Sequence, residues 1–250
     1  MQNKYFAIRG EVFRYFKHTI MKTSKEFQIK NSNIQEFEFV LIVDTSYSMY
    51  GNKVDAINDL INNCINFIEA ENESNKYEYI KLSILEYNDN AKWVYGENLE
   101  KKDHIQLISV GKSNINKAYE MLLEHASNYK STKNIIYILI SDGMATNLDW
   151  KEINKSLYEI ATFKNSTKYA ISLGVNLDEA NHLFLSFTKN KNSVYHTYSG
   201  KALNEVVDTI MNTTIYNKDK YIGYEVNQNK DLPNIIKSKL IYAFDVGWIE

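Results

Sequence analysis

Residues 37–48, FEFVLIVDTSYS, indicate the class of the fold. The apolar run at 37–43 is rich in Phe, Val and Ile, which is typical of a strand buried on both faces. A polar loop follows, and beyond it apolar residues recur at the spacing of one helix face. These residues are Val54, Ile57, Leu60, Ile61, Cys64, Ile65 and Ile68. A buried strand, a polar loop and an amphipathic helix together predict the first βα unit of an α/β fold.

The same alternation continues along the chain and predicts its overall architecture. Strands are predicted at 79–87 and 91–95, with Asn88-Asp89-Asn90 as the hairpin turn between them. The remaining predictions are a helix capped by Ser113 or Asn114, strands at 134–140, 169–175 and 193–198, and helices at 150–163, from 178, and at 202–216. We therefore expect an α/β fold with an open, mostly parallel sheet, one antiparallel edge strand, and helices on both faces.

Composition excludes several classes of function. The 250 residues carry 29 Lys+Arg against 31 Asp+Glu, a formal net charge of −2, so the chain has no global basic field for nucleic acid or an anionic membrane. The single cysteine, Cys64, cannot form an intrachain disulfide and fits a buried helix position. The apolar runs at 39–43 and 135–140 fall far short of the ~20 residues of a membrane-spanning helix.

The ends of the chain are predicted to lie outside the α/β series. Residues 1–36 form an N-terminal extension and residues 218–250 a C-terminal one, around a domain at 37–217. The first 21 residues contain charges throughout and no apolar core of a signal peptide, so the expected location is cytoplasmic. Translation from Met1 and from Met21 both remain open.

Two aspartates mark the candidate site, because each directly follows a predicted buried strand. Asp44 opens the sequence D-T-S-Y-S, in which an extended backbone would project Asp44, Ser46 and Ser48 to the same side. Asp142 comes directly after Ser141, which follows the strand predicted at 134–140. Ligands of open parallel sheets bind at this carboxyl edge. Carboxylates and hydroxyls are hard oxygen ligands, which suit Mg²⁺, with Mn²⁺ and Ca²⁺ as alternatives.

A simpler interpretation is that Asp44 and Ser46 cap the following helix, as a lone D-x-S often does. The complete D-x-S-x-S after one buried strand, together with S-D-G after another, favours the cation site.

Three ordered motifs resemble the von Willebrand factor type A (VWA) family: DTSYSM before an amphipathic helix, GKSN opening a helix, and ILISDG ending a strand. The resemblance covers roughly residues 37–217. It implies a VWA, Rossmann-like fold with a metal-ion-dependent adhesion site (MIDAS). On this resemblance Ser46 and Ser48 ligate the metal directly, and Asp44 and Asp142 act directly or through water.

Two positions depart from the family pattern. Ser113 lies where the family usually has threonine, so the hydroxyl is retained, whereas Lys112 replaces a small residue beside the site. The expected site therefore comprises Asp44, Ser46, Ser48, Ser113 and Asp142.

The resemblance also implies a function without catalysis. The metal would accept an Asp or Glu carboxylate from a protein partner, and no small-molecule substrate is evident. ISDGMATNLDW and YAISLGVNLDEANHLFLSFT resemble stretches of bacterial TerY-like VWA proteins, which implies a stress-response or tellurite-resistance setting. The alternative is a VWA subunit that recruits substrate to an ATPase or to a kinase/phosphatase complex.

Catalytic alternatives lack required residues. Gly111-Lys112-Ser113 is similar to the end of a phosphate-binding loop, but Gln106 stands where the leading glycine is needed. Metal-dependent phosphatases of another α/β class would need a second carboxylate two residues after Asp44, where Ser46 stands. The five histidines show no ligand spacing, so we expect them to be ordinary surface or boundary residues.

Overall fold

The computed structural model describes residues 35–74, 78–96, 99, 104–129, 134–145, 150–174 and 177–216. The extensions predicted at 1–36 and 218–250 lie outside these ranges, apart from residues 35 and 36. Within them, no helix combines the length and the apolar character needed to cross a membrane.

Six strands and six helices form the described part of the chain. The strands are β1 (Gln35–Asp44), β2 (Glu78–Tyr87), β3 (Ala91–Tyr95), β4 (Asn134–Ser141), β5 (Thr167–Leu173) and β6 (Val194–Thr197). The helices are α1 (Asn52–Ser74), α2 (Ile115–Asn128), α3 (Trp150–Glu159), α4 (Ala161–Asn165), α5 (Leu177–Thr188) and α6 (Gly200–Tyr216). Short 3₁₀ turns occur at Tyr47–Met49 and Lys191–Ser193.

The strands form one sheet in the order β3-β2-β1-β4-β5-β6. All neighbouring strands are parallel except β2 and β3, which form the antiparallel hairpin at the edge. This confirms the predicted fold class, including the single antiparallel edge strand.

β1 lies in the middle of the sheet, and its side chains alternate between two separate apolar cores. Phe39, Leu41 and Val43 belong to a core with residues of α1 and α6. Val40 and Ile42 belong to a second core, with residues of α2, α3, α4 and α5. Helices therefore cover both faces, which explains why this strand is a continuous apolar run.

Strand register places the carboxyl ends of three strands side by side. Asp44 is paired with Tyr87 at the end of β2, and Val43 is paired with Ile140 near the end of β4. Ser141 and Asp142 therefore emerge next to Asp44, at the edge of the sheet where ligands of parallel α/β folds bind.

The single helix predicted at 150–163 is wrong: the structure has α3 and α4, separated at Ile160. Ile160 has an extended backbone, with φ −79° and ψ 119°. Beyond this break Phe163 is fully buried, and its ring contacts those of Tyr137, Tyr158 and Phe187. The apolar spacing continues across Ile160, so only the packing of Phe163 distinguishes two helices from one.

A buried carboxylate on β1 forms a polar cluster beneath α2. Oε1 of Glu38 accepts a hydrogen bond from the Ser83 hydroxyl at 2.8 Å and lies 3.2 Å from Nε2 of His125. Nδ1 of His125 lies 3.2 Å from the Tyr137 hydroxyl. Burial opposes ionisation of Glu38, but the hydrogen bond and charge of His125 lead the opposing effects, and the pKa of Glu38 is lowered overall. His125 is a boundary residue, as expected, but its pairing with Glu38 was not foreseen.

We expect His125→Phe to destabilise the protein, because it leaves the buried Glu38 carboxylate without the imidazole nitrogen that lies 3.2 Å from it. Removing one member of a buried pair costs about 3 kcal/mol, measured as the free energy of unfolding in urea at pH 7. The double variant Glu38→Leu/His125→Phe should recover most of this loss, since no unpaired charge remains.

The cluster also has a defined pH dependence. Because folding lowers the pKa of Glu38, the contribution of this group is present above its unfolded pKa of about 4.5 and is lost as pH falls through the folded value. Equal stability of wild type and His125→Phe at pH 7 would contradict this account.

Candidate metal centre

The Asp44 carboxylate is fully buried and accepts hydrogen bonds from four separate donors. Its Oδ2 accepts from the hydroxyls of Ser113 at 2.7 Å, Ser141 at 2.8 Å and Tyr87 at 3.2 Å. Its Oδ1 accepts from the backbone N–H of Ser46 at 2.8 Å. Burial first, and then the charge of Asp44, raise the pKa of Tyr87 well above its ordinary value. The phenol therefore stays protonated and remains a donor at neutral pH.

The D-T-S-Y-S loop brings two hydroxyls together, though not by the geometry predicted from the sequence. Residues 47–49 form a 3₁₀ turn rather than an extended segment. The hydroxyl oxygens of Ser46 and Ser48 nevertheless lie 3.2 Å apart. Met49 ends the turn with a fully buried side chain and anchors the loop in the apolar core that also contains residues of α1.

Asp142 is connected to this loop by a lysine that sequence reasoning missed. Its Oδ2 accepts from Nζ of Lys53 at 3.0 Å, and its Oδ1 accepts from the N–H of Met144 at 3.2 Å. The same Lys53 ammonium donates to the carbonyl oxygen of Ser48 at 3.0 Å. Because Asp142 is fully buried, Lys53 partly compensates its charge.

Ser113 reaches Asp44 because the preceding loop makes a tight turn. Gly111 has a φ of +71°, and a Cβ at this position would collide with the Asp89 carboxylate. The N–H of Lys112 donates to Oδ1 of Asp89 at 3.1 Å. Asn114 occupies the N-cap position of α2 but forms no capping hydrogen bond through its side chain. The proposed capping role of Ser113 is also wrong, since its hydroxyl is directed to Asp44.

The structure brings the predicted site residues into one network at the carboxyl edge of the sheet. Asp44 joins Ser113 and the loop of Ser46 and Ser48, and Lys53 joins that loop to Asp142. The capping alternative for Asp44 and Ser46 is not supported, since α1 begins only at Asn52.

Three residues of the network escaped sequence reasoning: Tyr87, Ser141 and Lys53. Ser141 had a usable signal, because it directly precedes Asp142 at the end of a parallel strand. Tyr87 could be placed only through the register that pairs it with Asp44. Nothing in the sequence marked Lys53.

The donor set fits a hard divalent cation. Among the described residues no group of three or more His, Cys, Asp and Glu side chains converges, so a softer zinc-type cluster has no counterpart in these ranges. The candidate site instead offers two carboxylates and several hydroxyls, which Mg²⁺, Mn²⁺ and Ca²⁺ accept. A serine hydroxyl that donates its proton to Asp44 keeps its oxygen lone pairs free for a cation.

Comparison with known proteins relates the fold, but not the sequence, to other proteins. No family model and no curated protein matches the chain. Among solved structures, the pilus adhesin SpaC from Lactobacillus rhamnosus GG is 12% identical with a TM-score of 0.61, over 74% of this chain. The ArnB paralog VWA2 from Sulfolobus acidocaldarius is 21% identical with a TM-score of 0.52, over 71%. Proximal thread matrix protein 1 from the mussel byssus, with a zinc-occupied MIDAS motif, is 14% identical with a TM-score of 0.53, over 73%.

At these identities the likeness shows the fold, which is the Rossmann-like α/β fold of VWA domains. The matched region spans 30% of the SpaC chain, 45% of VWA2 and 46% of the mussel protein. The chain thus corresponds to less than half of each of these three proteins.

We expect Lys53→Met to bind Mg²⁺ and Mn²⁺ more tightly. The ammonium competes with a cation for Oδ2 of Asp142, and a partly exposed pair of this kind contributes about 1 kcal/mol, equivalent to about fivefold in affinity. Titration calorimetry of each metal into the full chain measures the change. Lys155→Met, which removes an exposed lysine from α3, is the matched control, and an unchanged or weaker affinity in Lys53→Met would refute the competition.

Proposed function

We propose that this protein is a non-catalytic, divalent-metal-dependent interaction module that binds a protein partner through a carboxylate of that partner. The observation that carries the proposal is the network around Asp44, in which hydroxyls from separate segments converge on one buried carboxylate. With the hydroxyls of Ser46 and Ser48 beside it and Asp142 linked to the same loop, this cluster forms the set of hard oxygen donors that a divalent cation accepts.

The residues that would hold the cation are Ser46, Ser48, Ser113, Asp44 and Asp142. The cation supplies an electrophilic centre for an incoming carboxylate oxygen. Because only two carboxylates belong to the site, a divalent cation would retain its attraction for a third, from another molecule. Mg²⁺ is the first expectation, with Mn²⁺ and Ca²⁺ as alternatives.

Other residues of this chain position the ligands. Tyr87 and Ser141 fix the orientation of Asp44 by donating to its Oδ2. Lys53 holds Asp142 against the loop of Ser48. A non-catalytic role agrees with this arrangement, because Asp44 and Asp142 are the candidate general bases of the site and both would be engaged beside the cation.

Two solved structures of similar fold support the proposal of a metal-binding interaction module. The mussel protein of similar fold carries zinc at a MIDAS motif, and SpaC is a pilus adhesin. Metal at a MIDAS motif and adhesion are thus each found on this fold in other proteins. We extend a metal-dependent binding function to this chain on the strength of its own donor set.

The cellular setting we propose is the bacterial cytoplasm, in a stress-response or tellurite-resistance system of the TerY-like type. The single cysteine, buried in α1, agrees with a reducing compartment. The alternative setting is an enzyme complex, in which the domain recruits substrate to an ATPase or to a kinase and phosphatase. Neighbouring genes distinguish the two, since genes for those enzymes beside this one would favour the complex.

We expect Asp44→Ala to abolish partner binding, because it removes the acceptor that orients Ser113, Ser141 and Tyr87. The measurement is affinity capture from lysate of the source cells, with Mg²⁺ and in parallel with EDTA. A partner should be retained by the wild type only with Mg²⁺, and Asp44→Ala should retain none of it.

Two further variants control for a general folding defect as the cause of lost binding. Ser48→Ala removes an exposed hydroxyl and should weaken capture at least tenfold while the circular dichroism spectrum is unchanged. Asp59→Ala removes an exposed carboxylate elsewhere, on α1, and should bind as the wild type does. Equal capture of the partner by Asp44→Ala, or capture that EDTA does not affect, would disprove the proposal.

A further inference from the structure

The surface around the candidate metal centre carries large exposed apolar side chains. Ten such side chains are exposed in the described part of the chain, and five of them surround the site: Tyr47, Tyr50, Ile108, Val110 and Met144. We call these five the apolar rim. Between 51% and 72% of each residue is accessible to solvent. A concentrated apolar patch of this kind on a water-facing surface is typical of an interaction site.

The two tyrosines of the rim lie in the loop that supplies Ser46 and Ser48. Their rings stack at 6.1 Å between centroids, with an interplanar angle of 15°. The N–H of Tyr47 donates to the carbonyl of Gly111 at 2.9 Å, which fixes its backbone against the loop that precedes Ser113. The pair is therefore held at the site although both residues are 72% exposed.

Two of the remaining rim residues are also fixed to the site by backbone hydrogen bonds. The N–H of Val110 donates to the carbonyl of Thr45 at 2.9 Å, and the N–H of Met144 donates to Oδ1 of Asp142 at 3.2 Å. Ile108 lies on the same side as Val110, because burial alternates along residues 104–110.

The backbone of residues 104–110 is held in this extended course by hydrogen bonds to two asparagines of α1. The Asn58 amide exchanges hydrogen bonds with the N–H and carbonyl of Leu107, at 2.7 and 3.0 Å. The Asn62 amide does the same with Ile105, at 3.0 and 3.1 Å. Ile105 and Leu107 are buried against the domain. Because side chains alternate along an extended chain, Ile108 and Val110 are directed outward. The backbone that carries Ile108 and Val110 is thus fixed against α1.

We propose that the apolar rim selects the partner, which presents a single carboxylate flanked on both sides by aromatic or aliphatic residues. This inference rests on the proposed function, in which the carboxylate binds the metal. Charge complementarity supports this choice, because Lys53 and the exposed Lys112 lie at the site and favour one approaching acidic group. Aromatic or aliphatic flanking residues would bury apolar surface against Tyr47, Tyr50 and Val110, whereas charged ones would not.

The test uses a random dodecapeptide library displayed on phage, selected on the full chain with Mg²⁺ and eluted with EDTA. The eluted peptides should share one Asp or Glu with aromatic or aliphatic residues on both sides. Enrichment of a carboxylate with polar or charged neighbours would overturn the rim proposal while leaving the proposed function intact. Failure to elute any peptide with EDTA would overturn both.

One selected peptide, carrying a fluorescent label, then measures the rim directly. Tyr47→Ser/Tyr50→Ser should weaken its binding about tenfold or more by fluorescence polarisation, since exposed aromatic anchors contribute strongly to interfaces. Mg²⁺ affinity, measured by calorimetry, should stay unchanged, because neither side chain is a ligand of the site. Unaltered peptide affinity in the double variant would overturn the proposal.

Tyr79→Ser is the matched control. Tyr79 is 50% exposed but lies at the amino end of β2, eight residues from Tyr87 and thus about 26 Å from the site. The Tyr79→Ser variant should bind the peptide as the wild type does. Analytical ultracentrifugation with Mg²⁺ tests whether the rim instead binds a second copy of the chain, and we expect a monomer. A dimer that forms in the wild type and is lost in Tyr47→Ser/Tyr50→Ser would assign the rim to self-association and overturn the proposal.

Discussion

The candidate site depends on one buried carboxylate, that of Asp44, and on the donors that converge on it. Three hydroxyls from β2, β4 and the loop before α2 reach its Oδ2, and the backbone of its own loop reaches Oδ1. A fully buried carboxylate is tolerated only with such compensation. The same hydrogen bonds therefore stabilise the ends of three strands and preorganise the ligands of the proposed cation.

The sheet makes this convergence possible, and its other polar cluster shows the same principle. Residues 38, 40, 42 and 44 of β1 lie on one face, because side chains alternate along a strand. Val40 and Ile42 fill the core between them, while Glu38 and Asp44 lie towards the two ends. Each carboxylate is satisfied by neighbours from adjacent strands and helices: Glu38 by Ser83 and His125, Asp44 by its hydroxyls. The Glu38 cluster lies in the core beneath α2, and the Asp44 cluster lies at the carboxyl edge of the sheet, where the cation site is proposed.

Sequence reasoning recovered most of the fold because the relevant signals are local. The apolar run of β1, the spacing along α1 and the hairpin at Asn88-Asp89-Asn90 depend on neighbouring residues, and all three were predicted correctly. The break at Ile160 was missed, since the apolar spacing is continuous there and only the burial of Phe163 distinguishes the two helices. The convergence of Ser46 and Ser48 was predicted for the wrong reason, because a 3₁₀ turn, not an extended segment, brings the hydroxyls together.

The sequence by itself determined the kind of chemistry available: two aspartates and three serines at the ends of buried strands and at a helix start, all hard oxygen donors. Tertiary structure alone decided which groups accompany them. The register of β1 with β2 placed Tyr87 on Asp44, and the packing of α1 beside the loops placed Lys53 on Asp142. It also placed the apolar rim around the site, through hydrogen bonds between loops distant in sequence. Such contacts join residues 40 to 100 positions apart, and local spacing along the chain contains no record of them.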